Sequence, residues 1–274
     1  VFKRLFTLKL KVYDMKVGII GFGALGSSIV EGLIRSNFPA EELLVSDADR
    51  LKLESAKRLG VKVADNSEIC RHADLIILAV KPKDFNRVAE DIAKVGDKKA
   101  LISFIAGLKI EKIRSKIECK NVFRGMPNIS VKVCDSIIGL TASEEADLKV
   151  KDDVIKLLSR IGKVIEVEER LLDTLTSISG SGVAFASEII RAFYEAAVLL
   201  GFDHKTAKEV SLRVFSGTTK LLEEEDDFEK IFKLVTTPAG TTIEGIYVLE
   251  RTGVRGYIIE AIKAAAEKAS RLSS

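Results

Sequence analysis

Residues 15 to 26 read MKVGIIGFGALG, and no other stretch of the 274-residue chain constrains the fold as strongly. The apolar run Val17 to Ile20 ends in Gly21-x-Gly23-x-x-Gly26, with Ala24 and Leu25 between the last two glycines. Ile29, Val30, Leu33 and Ile34 follow at helical spacing. This is the pattern of strand, tight glycine turn and helix. Gly21 permits the turn, Gly23 lets backbone approach a pyrophosphate, and Gly26 lets the helix seat close to the strand. A diphosphate would then rest at the positive end of a helix. The motif alone is weak, but a second apolar run, Leu43 to Val45, leads to Asp47. That acid stands about 20 residues past the last glycine, where a ribose-binding carboxylate belongs.

From there to about residue 167, strand-like and helix-like segments alternate. Strands are expected at 16–20, 43–46, 61–63, 74–80, 100–104, 120–124, 136–141 and 163–167, and helices at 24–36, 50–59, 83–95, 109–117 and 146–161. After Asp74 the run 75–80 is apolar throughout, as suits a strand buried on both faces. Such alternation predicts an α/β fold, a Rossmann-type doubly wound sheet with its later strands open to antiparallel pairing. After about residue 170 only helical patterns remain, at 183–200, 203–222, 228–235, 242–251 and 255–272, with the acidic run Glu223 to Asp227 read as an exposed turn. The expected organisation is a dinucleotide-binding domain over 15–168 and an all-helical C-terminal substrate-binding and dimerisation domain over 169–274. Residues 1–14, basic and partly apolar, admit three readings: an upstream start codon, a short extra strand, or a weak membrane-surface arm. The first is preferred, since the pattern is complete from Met15.

A net charge of +3, from 43 Lys and Arg against 40 Asp and Glu, gives no reason to expect nucleic acid. No apolar run is long enough to span a bilayer, so no membrane partner is expected. Three cysteines without C-x-x-C spacing fit free thiols in a reducing compartment and a cytoplasmic location. The two histidines, His72 and His204, have no ligand partner at helical spacing, and no metal is expected.

Four short segments could carry chemistry. Lys81-Pro82 closes the run 74–80, at the strand end where α/β ligands bind. Arg124 to Asn128 ends another strand, and its polar residues could face a nicotinamide. Ser179 to Gly182 precedes a long helix, where small residues allow close backbone approach. Thr236 to Thr242 is the most specific segment, with four threonines in seven residues running into a helix. Its N–H groups at Gly240, Thr241 and Thr242 would form a carboxylate site at a helix N-terminus. No Ser-His-Asp set, Cys-His pair or evident general acid occurs. Hydride transfer to an already protonated C=N bond would need none, whereas a ketone usually demands a proton donor.

Taken in order, the segments resemble the pyrroline-5-carboxylate reductase family. The markers are IIGFGALGSSI at 19–29, LAVKP at 78–82, FIAGL at 104–108, MPN at 126–128, SGSG at 179–182, TPAGTTI at 237–243 and the tail at 249–269. The resemblance covers nearly the whole chain from Met15. It implies a two-domain oxidoreductase that reduces 1-pyrroline-5-carboxylate to L-proline with NADPH or NADH, the last step of proline synthesis. It also implies a homodimer with interleaved helical domains, in some cases built into larger rings. Carried over residue by residue, Thr242 would bond the ring nitrogen and act as the catalytic group. Thr237 with Gly240 and Thr241 would hold the carboxylate, and Ser179 and Gly180 would complete the substrate set. The cofactor set would be Gly21, Gly23, Ala24, Leu25, Gly26, Asp47, Asn66, Ala79, Val80, Lys81, Pro82, Met126 and Asn128, of which Lys81, Pro82, Met126 and Asn128 line the nicotinamide side.

The chain departs from the family pattern at several places. MPNTP is here Met126-Pro127-Asn128-Ile129-Ser130, SGSGPAY has Val183 and Phe185 for Pro and Tyr, and SPGG has Thr237 and Ala239. These leave open a related cyclic imine as substrate. Asp47 should bond the ribose hydroxyls of NADH and repel a 2′-phosphate, while Arg50 could offset that repulsion. Two other classes compete. A β-hydroxyacid dehydrogenase would carry a Lys on the long helix, and 183–200 contains none. A non-catalytic NAD(P)-sensing regulator would need no carboxylate pocket such as TPAGTTI offers.

Overall fold

Alternate residues of the central strands fill two separate cores, and that division builds the N-terminal half. The computed structural model describes residues 15–95 and 100–273. Residues 1–14, with their three readings, lie outside the described residues. Eight strands form one sheet: β1 Val17–Ile20, β2 Leu43–Ser46, β3 Lys62–Val63, β4 Leu75–Leu78, β5 Leu101–Ser103, β6 Val122–Met126, β7 Ser136–Ala142 and β8 Gly162–Glu166. Their order is β3-β2-β1-β4-β5-β6-β7-β8. All neighbours are parallel except β6 and β7, which pair antiparallel. Each expected strand is therefore present, shifted by a residue or two at its ends.

Val17, Ile19, Leu43, Val45, Leu75 and Ile77 point to one face of the sheet. There they meet α1 (Ala24–Arg35), α2 (Arg50–Arg58) and α6 (Leu148–Leu158) through Ile29, Leu33, Ala56, Val154 and Leu157. Ile20, Leu44, Ile76 and Leu78 point to the other face. They pack on α3 (Asn66–His72), α4 (Phe85–Ala93) and α5 (Ile110–Arg114) through Ile69, Val88, Ile92 and Ile113. Strands covered on both faces read as continuous apolar runs, as 75–80 does. Fully burying one such Leu or Ile contributes roughly 1.5–3 kcal/mol.

Three elements differ from the sequence expectation. α3 has only Ile69 and Cys70 buried, too few for a helical period, so its apolar pattern is silent. Its signal is polar instead: Asp65 accepts from the Glu68 N–H at 2.7 Å, with the D-x-x-E spacing of a capping box. A further helix, α7 (Glu169–Leu175), precedes a π-helical turn at Thr176–Gly180. Ser179 and Gly180 therefore lie in the π turn, and Gly182 opens the next helix after Ser181. The acidic run is corrected too. Its glutamates extend the helix to Glu225, and Asp226, at φ 49°, ends it.

The remaining helices are α8 (Gly182–Leu199), α9 (His204–Glu225), α10 (Phe228–Val235), α11 (Thr241–Arg251) and α12 (Val254–Ser273). The chain divides into two compact units, one running up to Thr176 and taking in the chain from Ala269, the other Ser177–Lys268. The second unit has almost no core of its own. Among its described residues, Ala207 is the one buried hydrophobic side chain, while Leu199, Leu200, Phe228, Leu234, Tyr247 and Tyr257 are each more than 60% exposed. Apolar surface on that scale marks an interface. Obligate interfaces of this kind commonly exceed about 2,000 Å². Sedimentation at low micromolar concentration should therefore find a dimer, and a stable, active monomer would contradict this reading of the helical unit.

Candidate active site

The strand ends on the β1 side frame a cleft of about 1030 Å³. Gly21, Gly23, Asp47, Asn66, Ala79, Val80 and Lys81 all line it. The glycine turn fits a dinucleotide diphosphate in three distinct ways. Gly21 has φ 104°, and a Cβ there would lie 2.6 Å from the Ala79 carbonyl oxygen. A Cβ on Gly26 would lie 2.0 Å from the carbonyl oxygen of Gly21. A Cβ on Gly23 would meet no protein atom within 4 Å, so this glycine leaves open space in the cleft. α1 starts at Ala24, and the N–H groups of Ala24 and Leu25 belong to its first turn, where no intrahelical acceptor exists. The cradle has the size, donors and dipole an anion needs.

Asp47 follows β2 and does structural work as well. Its Oδ2 accepts from the Phe22 N–H at 2.7 Å and its Oδ1 from the Asp49 N–H at 2.8 Å. Lys52 Nζ lies 3.4 Å from both oxygens. Burial pushes the carboxyl up. The N–H groups of Asp49 and Phe22 and the Lys52 ammonium together outweigh burial and hold it below the ordinary carboxylate value of 3.8. This latch on the glycine turn is complete above that value and is lost only as pH falls through the lowered one. Arg50, which could offset Asp47, is exposed and does not line the cleft, whereas Lys52 does.

Asn66 opens α3 and is held at both ends of its amide. Its Oδ1 accepts from Ser46 Oγ at 2.6 Å, and its Nδ2 donates to Asp91 at 3.1 Å. Lys81 precedes a 3₁₀ turn, Pro82–Asp84, in which Pro82 stops the strand as expected. Pro82, Met126 and Asn128 do not line the cleft. Met126 ends β6 and is buried. β6 runs parallel to β5, so this end lies on the same sheet edge as the cleft, about 14 Å from β1 at three strand spacings. Asn128 builds the following loop, its Oδ1 accepting from the Ser130 N–H at 2.8 Å. A proline at 130, as in the family pattern, has no N–H to donate.

Arg124 is corrected. It does not face the cleft but is 1% exposed, with Nη2 2.5 Å from Asp173 and Nη1 3.4 Å from Glu169. The pairing ties β6 to α7, and the Glu169 carboxylate also accepts from the Ile110 N–H at 2.8 Å. Sequence alone gave no hint of it, because its acids lie on a helix with no clear period.

In the helical unit, Thr237 to Gly240 form a turn ahead of α11, with Gly240 as its N-cap. The Gly240 N–H donates to the Thr237 carbonyl at 3.0 Å. It is therefore not available to a carboxylate, contrary to expectation; Thr241 and Thr242 open the helix and keep first-turn N–H groups. Among the described residues the Thr242 hydroxyl makes no hydrogen bond. Ala239 sits at φ 54°, where the family pattern has glycine. Ser179, in the π turn, is buried, and Gly180 ends that turn.

Two family models match the chain, "Pyrroline-5-carboxylate reductase dimerisation" over 169–272 and "NADP oxidoreductase coenzyme F420-dependent" over 16–107. Pyrroline-5-carboxylate reductases of Methanosarcina acetivorans and Aquifex aeolicus are each 33% identical, covering 94% and 95% of this chain and 98% of their own. Among solved structures, a Coxiella burnetii pyrroline-5-carboxylate reductase superposes with TM-score 0.85 at 30% identity, over 96% of this chain and 100% of that one. The Plasmodium falciparum enzyme, solved with NADP bound, gives 0.87 at 26% identity, over 95% and 99%.

The glycine geometry makes a paired prediction. Gly23→Ala should fold with stability within about 1 kcal/mol of wild type, yet bind NAD(P)H at least tenfold more weakly, since its methyl enters the diphosphate space. Gly26→Ala should destabilise by about 1–3 kcal/mol through overpacking. Denaturant midpoints and cofactor titration measure both, and equal stability loss in the two variants would contradict the assignment.

Proposed function

Because the chain belongs to the pyrroline-5-carboxylate reductase family, we propose that it reduces 1-pyrroline-5-carboxylate to L-proline with NAD(P)H, the last step of proline synthesis. The observation that carries the substrate assignment is the threonine turn opening α11. Its first-turn N–H groups and helix dipole favour a carboxylate. In this reading Thr241 N–H, Thr242 N–H and the Thr237 hydroxyl hold that carboxylate. Thr242 Oγ accepts from the protonated ring nitrogen and fixes the C=N bond in one orientation.

When bound, the reduced nicotinamide supplies a hydride to the imine carbon. The nitrogen arrives already protonated, so the product amine forms without a side-chain acid. That accounts for a substrate segment built of threonines and backbone, with no histidine. Within the cofactor cleft, Gly23 and the first turn of α1 hold the diphosphate and Lys81 serves the nicotinamide side, to which Pro82 and Met126 belong from outside the cleft lining. Ser179 and Gly180 join the substrate set through the π turn, a helix form frequent at functional sites.

The division into a cofactor domain over 15–168 and a substrate-binding and dimerisation domain over 169–274 belongs to the same reading, as does assembly of dimers into a ring. Cys70, Cys119 and Cys134 are thiols outside any disulfide, which suits a cytoplasmic enzyme. Two family departures have conformational grounds that do not touch substrate choice: Ser130 donates its N–H within the Asn128 loop, and Ala239 keeps the left-handed turn. Nothing in the structure explains Val183 and Phe185.

Expression should restore proline-free growth to a bacterium lacking its own reductase. Thr242→Val keeps the side-chain shape and should cut turnover about tenfold or more. A lost ligand hydrogen bond costs roughly 0.5–1.5 kcal/mol, and about twice that with a charged partner. Cofactor affinity should stay within about twofold. Wild-type turnover in this variant would remove Thr242 from the site.

A further inference from the structure

We propose that Lys52 is the residue that admits a 2′-phosphate, so that the enzyme uses NADPH despite the acid at the end of β2. The inference rests on reading the cleft as a dinucleotide site. An acid placed like Asp47 ordinarily favours a ribose 2′-hydroxyl and repels a phosphate. Here that carboxylate is engaged by the N–H groups of Phe22 and Asp49. Lys52 Nζ stands 3.4 Å from each of its oxygens and lines the same cleft.

The pair is unequal. The Asp47 side chain is 11% exposed and held by backbone, whereas the Lys52 side chain is 42% exposed. A long contact to a half-exposed lysine is weak and easily exchanged. Lys52 can therefore turn from Asp47 to a neighbouring phosphate while Asp47 keeps its two backbone donors. Its place in the first turn of α2 adds a helix N-terminus to the same spot. Lys81, Lys83 and Arg87, which also line the cleft, come from the chain that follows β4, whereas Lys52 is the cation that contacts Asp47. With a 2′-hydroxyl in place, Lys52 stays on Asp47, and NADH remains a ligand.

The test is equilibrium titration of the purified full-length dimer, without substrate, following nicotinamide fluorescence, with 2′,5′-ADP as competitor. Lys52→Met should weaken NADPH and 2′,5′-ADP tenfold or more and leave NADH within about twofold. Lys52→Arg should restore most of the NADPH affinity. Equal weakening of both cofactors would overturn the proposal, since Lys52 would then act only by holding Asp47 and the glycine turn. No change in either would overturn it as well, and Arg50→Met would then show whether the neighbouring arginine reads the phosphate. A wild-type protein binding neither cofactor would overturn the dinucleotide reading itself, and this inference with it.

Discussion

The carbonyl oxygen of Gly21 occupies the place a Cβ on Gly26 would need, 2.0 Å away. This contact seats α1 directly on the end of β1, and much else follows from it. The first turn of α1 is brought to the strand ends, where its unpaired N–H groups can meet an anion. β1 stays between β2 and β4, so Asp47 reaches back to the Phe22 N–H and Ala79 closes over Gly21. Further along the same helix, Gly32 gives the same close approach to Val131, which lies in the loop between β6 and β7. Two glycines on one helix thus fix both the cofactor turn and the point where the sheet changes direction.

The two units obey different physics. The first is covered on both faces of its sheet by its own helices. The second leaves Phe, Leu and Tyr side chains in solvent along every helix, with Ala207 its one described buried hydrophobic residue. Such a unit gains its stability by association, which is the sense in which dimerisation belongs to the fold. The buried Arg124, paired with Glu169 and Asp173, fixes α7 to the sheet just before the chain leaves the first unit. Breaking such a pair from one side leaves a buried charge unpaired, which is costly.

Most of the sheet was legible because its strands are apolar on both faces and punctuated by glycine, aspartate or proline. β1, β2 and β4 needed nothing more. α3 was hidden because a short helix with two buried residues has no period to detect, although Asp65 and Glu68 marked its start. α7 and the π turn were hidden because Leu172 alone of α7 is buried. At the cleft, Gly21, Gly23 and Asp47 were readable from spacing. The partners of Asp47 were not: Lys52 and the Phe22 N–H are found only once β1, β2 and α2 are packed. Arg124 misled for a related reason, since a charged residue at a strand end looks like a ligand until its acids are placed. The Gly240 N–H likewise looked free until the turn to Thr237 was seen.

The account rests on the chain's being an imine reductase of the pyrroline-5-carboxylate reductase family. Initial rates of NADH and NADPH oxidation by the wild-type dimer test it most directly, with 1-pyrroline-5-carboxylate set against a panel of 2-ketoacids. The account predicts rapid oxidation with the imine, L-proline as the product, and rates with the ketoacids lower by several orders of magnitude. Comparable rates with a ketoacid, or cofactor binding without oxidation by any imine, would contradict it.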